Sequence, residues 1–170
     1  MNIKWIGAIL IIAGSGGFGF LMAWNYKREL ATLRRLVSAL EYMQSDLEYR
    51  LTALSELSKK TAETLNGSLQ RLFVNFAKEL DNQLAPNAEH CMTVALNNTP
   101  DLPRKTVEQL SALGKSLGVF DLQGQLRGLE YVHNSCVSTI AEMERQRQQR
   151  IRSYETLGLC AGAALAILLI

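Results

Sequence analysis

The side chains able to do chemistry in this 170-residue chain are few and scattered. Cys91, Cys136 and Cys160 form no short C-x-x-C pair, and His90 and His133 have no second ligand at a metal-binding interval. The thiols therefore read as reduced packing residues, and His133, which falls on an apolar helical face, reads as a hydrogen-bonded core histidine. Gly14, Gly16, Gly17 and Gly19 spell G-x-G-G-x-G, but no strand precedes them and no Lys-Ser/Thr pair follows, so a phosphate loop is not indicated. The acids and bases Glu41, Asp46, Glu48, Arg50, Glu56, Lys59 and Lys60 fall largely on the solvent side of one amphipathic helix. Base, nucleophile and metal ligands do not converge anywhere, so no enzyme, cofactor or small-molecule substrate is expected. A net charge of +2 gives no case for nucleic acid.

The elements that hold these residues divide the chain into three. Residues 3–24 contain an uncharged run from Trp5 to Trp24 with a tryptophan at each edge. At about 1.5 Å per residue, twenty residues span the roughly 30 Å hydrocarbon core of a bilayer. A cleaved signal peptide is the competing reading; the long apolar run and the lack of an A-x-A-like site favour an anchor. Residues 153–170 end in an apolar tail from Leu157 to Ile170, short for a span, and are expected to form a second membrane segment. Gly14, Gly16 and Gly17 in the first segment, and Gly158 and Gly162 in the last, are spaced for close helix packing.

Between them, residues 25–152 read as an all-helical domain. Leu30, Leu33, Val37, Leu40, Met43, Leu47, Leu51, Leu54 and Leu57 recur at steps of three and four, the period of a long amphipathic helix. A break is expected before Asn66-Gly67, with Ser68 capping a helix that carries Leu69, Leu72, Phe73, Phe76 and Leu80. A loop at Pro86 leads to a short helix with Cys91, Val94 and Leu96. Turn residues from Asn97 to Pro103 precede another with Val107, Leu110 and Leu113. Gly118 stops it, Asp121 caps the next, and the last helix presents Leu122, Leu126, Leu129, His133, Cys136, Val137, Ile140 and Met143. Lys27, Arg28, Arg34 and Arg35 follow the first apolar run, and Arg145, Arg147, Arg150 and Arg152 precede the second. The positive-inside rule then predicts a cytoplasmic domain tethered at both ends.

Several strings, taken in order, carry a resemblance. They are Ile6-Gly7-Ala8-Ile9-Leu10-Ile11, Leu33-Arg34-Arg35-Leu36 with Ala39-Leu40, Asp46-Leu47-Glu48-Tyr49, Leu117-Gly118-Val119-Phe120-Asp121 with Gln125, and Tyr154-Glu155-Thr156-Leu157-Gly158 with Gly162. Their order and spacing resemble the stage III sporulation protein AB family of endospore-forming bacteria over the whole chain. Two places depart from the family pattern: Thr52-Ala53-Leu54 stands where Thr-Pro-Leu is usual, and Cys91-Met92 where an aromatic is common.

The resemblance implies a helical bundle similar to the cytoplasmic domains of type II secretion F proteins. It also implies residence in the mother-cell membrane around the forespore, within the channel complex joining the two cells. The implied partners are a secretion-type ATPase similar to the AA protein and other membrane subunits. Arg34, Arg35, Glu41, Asp46, Glu48 and Arg50, the polar members of the best-matched segment, are the expected docking residues. Two alternatives stand beside this reading: a platform component of another type II or type IV pilus-like system, and a helical membrane signalling protein that dimerises through the Leu30 to Leu57 stripe.

Overall fold

The computed structural model describes residues 3–82, 87–117 and 121–169, with side chains described for 24–82, 87–117 and 121–146. These form six helices and no strand among the described residues: α1 (Ile3–Arg50), α2 (Leu54–Thr64), α3 (Ser68–Asn82), α4 (Ala88–Asn97), α5 (Arg104–Ser116) and α6 (Leu122–Leu169). Each helix packs on the next in sequence, α6 closes the ring on α1, and α5 also reaches α1. The all-α expectation holds.

The core is the leucine stripe predicted for α1 meeting apolar faces from every other helix. Leu33, Leu36, Leu40 and Met43 are fully buried, as are Leu57, Leu72, Phe73, Phe76, Leu110, Leu113, Leu129, Val132 and Cys136. Burial of each such aliphatic or aromatic side chain stabilises the bundle by about 1.5–3 kcal/mol before entropy is counted. On α2 the buried polar groups satisfy themselves: Ser58 Oγ donates to the Leu54 carbonyl and Thr61 Oγ1 to that of Leu57.

The helix breaks differ in part from expectation. α1 stops at Arg50 because Leu51 takes φ 53°, the left-handed conformation that usually falls to glycine. Leu51 is thereby turned out to 66% exposure and leaves the stripe to which its spacing assigned it. The chain breaks here with alanine at 53, without a proline. Gly67, at φ 70°, turns the chain into α3, and Ser68 is the first residue of that helix, not the residue before it.

Asn87 Oδ1 accepts the His90 N–H at the start of α4, and Asp121 Oδ1 accepts that of Gly124 at the start of α6, the latter as predicted. The predicted stop at Gly118 lies outside the described residues; α5 ends at Ser116 with Leu117 as its C-cap. Pro103 precedes α5, whose second N–H, that of Lys105, is taken by Glu29 Oε1 of α1 at 3.0 Å. This carboxylate also complements the positive end of the helix dipole. On α6, Val137 is 45% exposed; Val132, which the predicted face omitted, is buried.

α1 and α6 run antiparallel. Arg34 pairs with Glu144 and Glu41 with His133, so residue numbers rise on one helix as they fall on the other. The N-terminal part of α1 and the C-terminal part of α6 therefore leave the bundle at the same end. Among the described residues no helix is long and apolar enough to cross a membrane. The side chains on which the two-span expectation rests, 3–23 and 153–170, lie outside those described, and with them Gly14, Gly16, Gly17, Gly158 and Gly162.

Candidate functional site

The six expected docking residues all lie on α1, but the helix divides them. Arg34, Glu41 and Glu48 are spaced by seven and share one stripe, about 21 Å long at 1.5 Å per residue. Arg35, Asp46 and Arg50 lie roughly a quarter turn or more away. A single flat partner surface cannot cover both groups around a straight helix, so they are two sites.

The first stripe borders α6. Arg34 Nη2 sits 2.5 Å from Glu144 Oε1 with both side chains about half exposed. Glu41 Oε1 lies 3.3 Å from His133 Nε2, while His133 Nδ1 lies 3.3 Å from Asn134 Oδ1. Both ring nitrogens thus lie beside an oxygen. The sequence reading of His133 as a core histidine is corrected here. Its side chain is 23% exposed and has a carboxylate partner from a helix 92 positions away, which no local pattern could show. Glu48 extends the stripe into solvent.

Of the second group, only Asp46 and Arg50 gather where α1 meets α2; Arg35 lines a cleft with Arg28, Pro103 and the Asn66-Gly67-Ser68 turn toward the other end of the helix. Asp46 does not face solvent as its place among the charged residues suggested: it is 5% exposed, within reach of the stripe formed by Met43 and Leu47. Its Oδ1 is 3.9 Å from Arg50 Nη1, and its Oδ2 has no hydrogen-bond partner among the described residues. Lys60 is held above its ordinary value of 10.5 first by its hydrogen bond to Glu56 and, after opposing desolvation, by the charges of Glu56, Asp46 and Tyr42. Beside this cluster Tyr49 and Leu51 stand 79% and 66% exposed, and Arg50 is exposed between them. Sequence reasoning passed over Tyr49 and Leu51 as surface features, because Leu51 fitted the core period and the backbone turn that expels it has no glycine or asparagine to announce it.

The remaining charges of this region hold helices together. Lys59 Nζ lies 2.6 Å from Asp81 Oδ2, and Ser55 donates to Asp81 Oδ1, clamping α2 to α3. Hydrogen bonds from Lys59 and then Ser55 hold the Asp81 carboxyl below its ordinary value.

Among the described residues no nucleophile, base and acid converge on one point. Burial pushes the Cys136 thiol up to about 11 and raises Cys91 as well, the opposite of the lowered value that makes a nucleophilic thiolate. Among the described residues no group of three His, Cys, Asp or Glu could hold a metal ion. What α1 offers is two polar surfaces on a stiff rod.

Comparison with known proteins agrees with the resemblance drawn from the motifs. Residues 4–170 match the family model described as stage III sporulation protein AB. The Stage III sporulation protein AB of Bacillus subtilis (strain 168) is 26% identical over 169 residues, covering 98% of this chain and 99% of its own. A solved structure of Stage III sporulation protein AB superposes with a TM-score of 0.63 at 22% identity, covering 72% of this chain and 98% of its own, a likeness of fold.

Proposed function

We propose that the chain, which belongs to the stage III sporulation protein AB family, is a non-enzymatic membrane-anchored scaffold of the mother cell–forespore channel complex, docking a secretion-type ATPase to that channel. The observation that carries this reading is the antiparallel pairing of α1 and α6. It sends both terminal runs of uncharged residues out at one end of the bundle, each bordered by arginines or lysines on the bundle side. That charge placement favours retention of the bundle in the cytoplasm of the mother cell, where an ATPase has access to it.

Docking falls on α1 because α1 is continuous from the first apolar run to the far tip of the bundle. A helix transmits a displacement along its axis where a flexible linker dissipates it. The ATPase supplies hydrolysis, and this chain supplies the fixed point. The likeness to the type II secretion F-protein domain belongs to this proposal and follows from the family resemblance.

The test is a pull-down of the ATPase by the detergent-solubilised full chain, with charge reversal of each group separately. One variant reverses Arg34, Glu41 and Glu48; the other reverses Arg50 at the α1–α2 corner, leaving the buried Asp46 and the cleft residue Arg35 in place. At least one set should abolish capture with the helical circular dichroism unchanged. Undiminished capture by both would remove α1 as the docking element.

A further inference from the structure

Two clefts adjoin at the end of the bundle nearest the first apolar run, and both are lined by Arg28 and Pro103. The smaller, about 260 Å³, adds Arg35 from α1 and the Asn66-Gly67-Ser68 turn, and has no acidic residue in its wall. The larger, about 440 Å³, adds Arg104 and the acids Glu29 and Asp101. Those two acids are already engaged: Glu29 accepts the Lys105 N–H, and Asp101 Oδ2 is held 2.7 Å from Arg71 Nη2. Arg28 Nη2 donates to the Asp101 carbonyl at 2.7 Å, which fixes the guanidinium at the mouth of both clefts with donors to spare.

The position along α1 selects the ligand. Arg28 lies about 6 Å and Arg35 about 16 Å beyond Trp24 on the helix axis, and the headgroup layer is about 5–8 Å deep on each face of a bilayer. Trp24 itself is 63% exposed, as an indole anchoring at that interface would be. Arg28 then stands in the headgroup layer, where a guanidinium fork matches a phosphate, and Arg35 lies on the aqueous side, about 8–11 Å past the layer's outer edge at the inner wall of the cleft.

From this geometry we infer that the Arg28–Arg35 cleft binds the phosphate headgroup of an anionic phospholipid and fixes the height and tilt of the bundle on the membrane surface. The inference rests on the membrane-anchored reading above. It adds a specific lipid contact by the folded domain, made by residues that converge from α1, the α2–α3 turn and the start of α5.

The test uses the full chain in a mild neutral detergent, titrated with dihexanoyl phosphatidylglycerol, dihexanoyl phosphatidylcholine and inorganic phosphate, with bound species counted by native mass spectrometry. One arginine near an anionic surface contributes about fivefold in affinity, so R28Q/R35Q should weaken phosphatidylglycerol binding at least about tenfold. R28Q and R35Q singly should each weaken it by about fivefold, which keeps the test valid if the double variant misfolds. K78Q, on the exposed face of α3 ten residues beyond the Ser68 wall, should change nothing. Equal binding of the anionic and zwitterionic lipids, binding of inorganic phosphate as tight as that of the lipid, or unchanged binding by the variants would each overturn the inference. A parallel flotation of the wild-type chain with phosphatidylcholine vesicles separates the two readings. Flotation without headgroup preference defeats the lipid site alone, and a chain that stays soluble without detergent and does not float defeats the anchor as well.

Discussion

Gly114→Ala tests the packing that carries α5, and through Pro103 and Arg104 one wall of the basic clefts, against the rest of the bundle. A methyl group built on Gly114 would lie 2.6 Å from Met92 Cβ, 3.0 Å from Met92 Cγ and 3.5 Å from the Ala88 carbonyl. Carbon atoms rest at about 3.5–4.0 Å, so α4 must withdraw by about 1 Å. Met92 Cβ is fixed to the backbone, and the residue is 1% exposed, so no rotamer change relieves the contact. Overpacking costs about 1–3 kcal/mol, and this contact belongs at the upper end. Replacing a helical glycine by alanine returns about 1 kcal/mol. The net loss is about 2 kcal/mol, which for a chain of this length lowers the melting temperature by about 4–8 °C. Thermal circular dichroism of the full chain in detergent reads it.

Gly67 supplies the contrast, since nothing lies within 4 Å of its absent methyl and only its φ of 70° requires glycine. Asparagine, which tolerates that conformation, should recover most of the loss caused by Gly67→Ala, whereas Gly114→Asn should be worse than Gly114→Ala. If Gly114→Ala melts at or above the wild-type temperature, the close approach of α4 and α5 is not a structural requirement and the reasoning fails.

Two further outcomes follow from the surface and the core. In a double-mutant cycle, Arg34→Ala and Glu144→Ala should couple by less than about 1 kcal/mol, because both side chains are about half exposed; a larger value would mean that the Arg34 reversal in the docking test also perturbs the fold. The Cys136 thiol, raised by burial from 9.0 to about 11, stays neutral when folded at pH values where the unfolded chain ionises it. The stability it contributes is present below pH 9 and lost as pH rises toward 11. Melting temperature should therefore fall across that interval and fall less steeply in Cys136→Ala; parallel curves would remove Cys136 as a source.

The sequence announced the helices wherever periodicity or local turn chemistry governs them. Leu30, Leu33, Leu40, Met43 and Leu47 are buried as their spacing required, though Val37 is only half-buried and Leu36, which the predicted stripe omitted, is fully buried; Asp121 caps α6 by a contact three residues long. It failed where a backbone conformation or a distant partner decides. Leu51 continued the apolar period, and only its positive φ ends α1 there and rotates the residue into solvent. Asp46 was grouped with the solvated charges, although it lies three residues from Met43 and beside Leu47, a register that places it at the edge of the buried face. Glu29 on Lys105, Arg71 on Asp101 and His133 on Glu41 join residues 30 to 92 positions apart, and no spacing rule reaches that far.

α1 carries opposite demands at its two described ends, and the structure meets them with different chemistry. Near Trp24, Arg28 is fixed by the Asp101 carbonyl and lines with Arg35, Pro103 and the α2–α3 turn a cleft with defined walls, as recognition of a small, fixed charge requires. At Arg50 the same helix ends in a left-handed leucine, an incompletely hydrogen-bonded aspartate and an exposed tyrosine, none of which stabilises the isolated bundle. A left-handed non-glycine residue costs about 1–2 kcal/mol, and a buried acceptor without its partner about 1–3 kcal/mol. A bundle selected for its own stability would place glycine at 51 and an apolar side chain at 46. The concentration of both costs at one tip, beside Tyr49 and Arg50, marks the α1–α2 corner over the Arg34 stripe as the first of the two surfaces to reverse in the search for the ATPase.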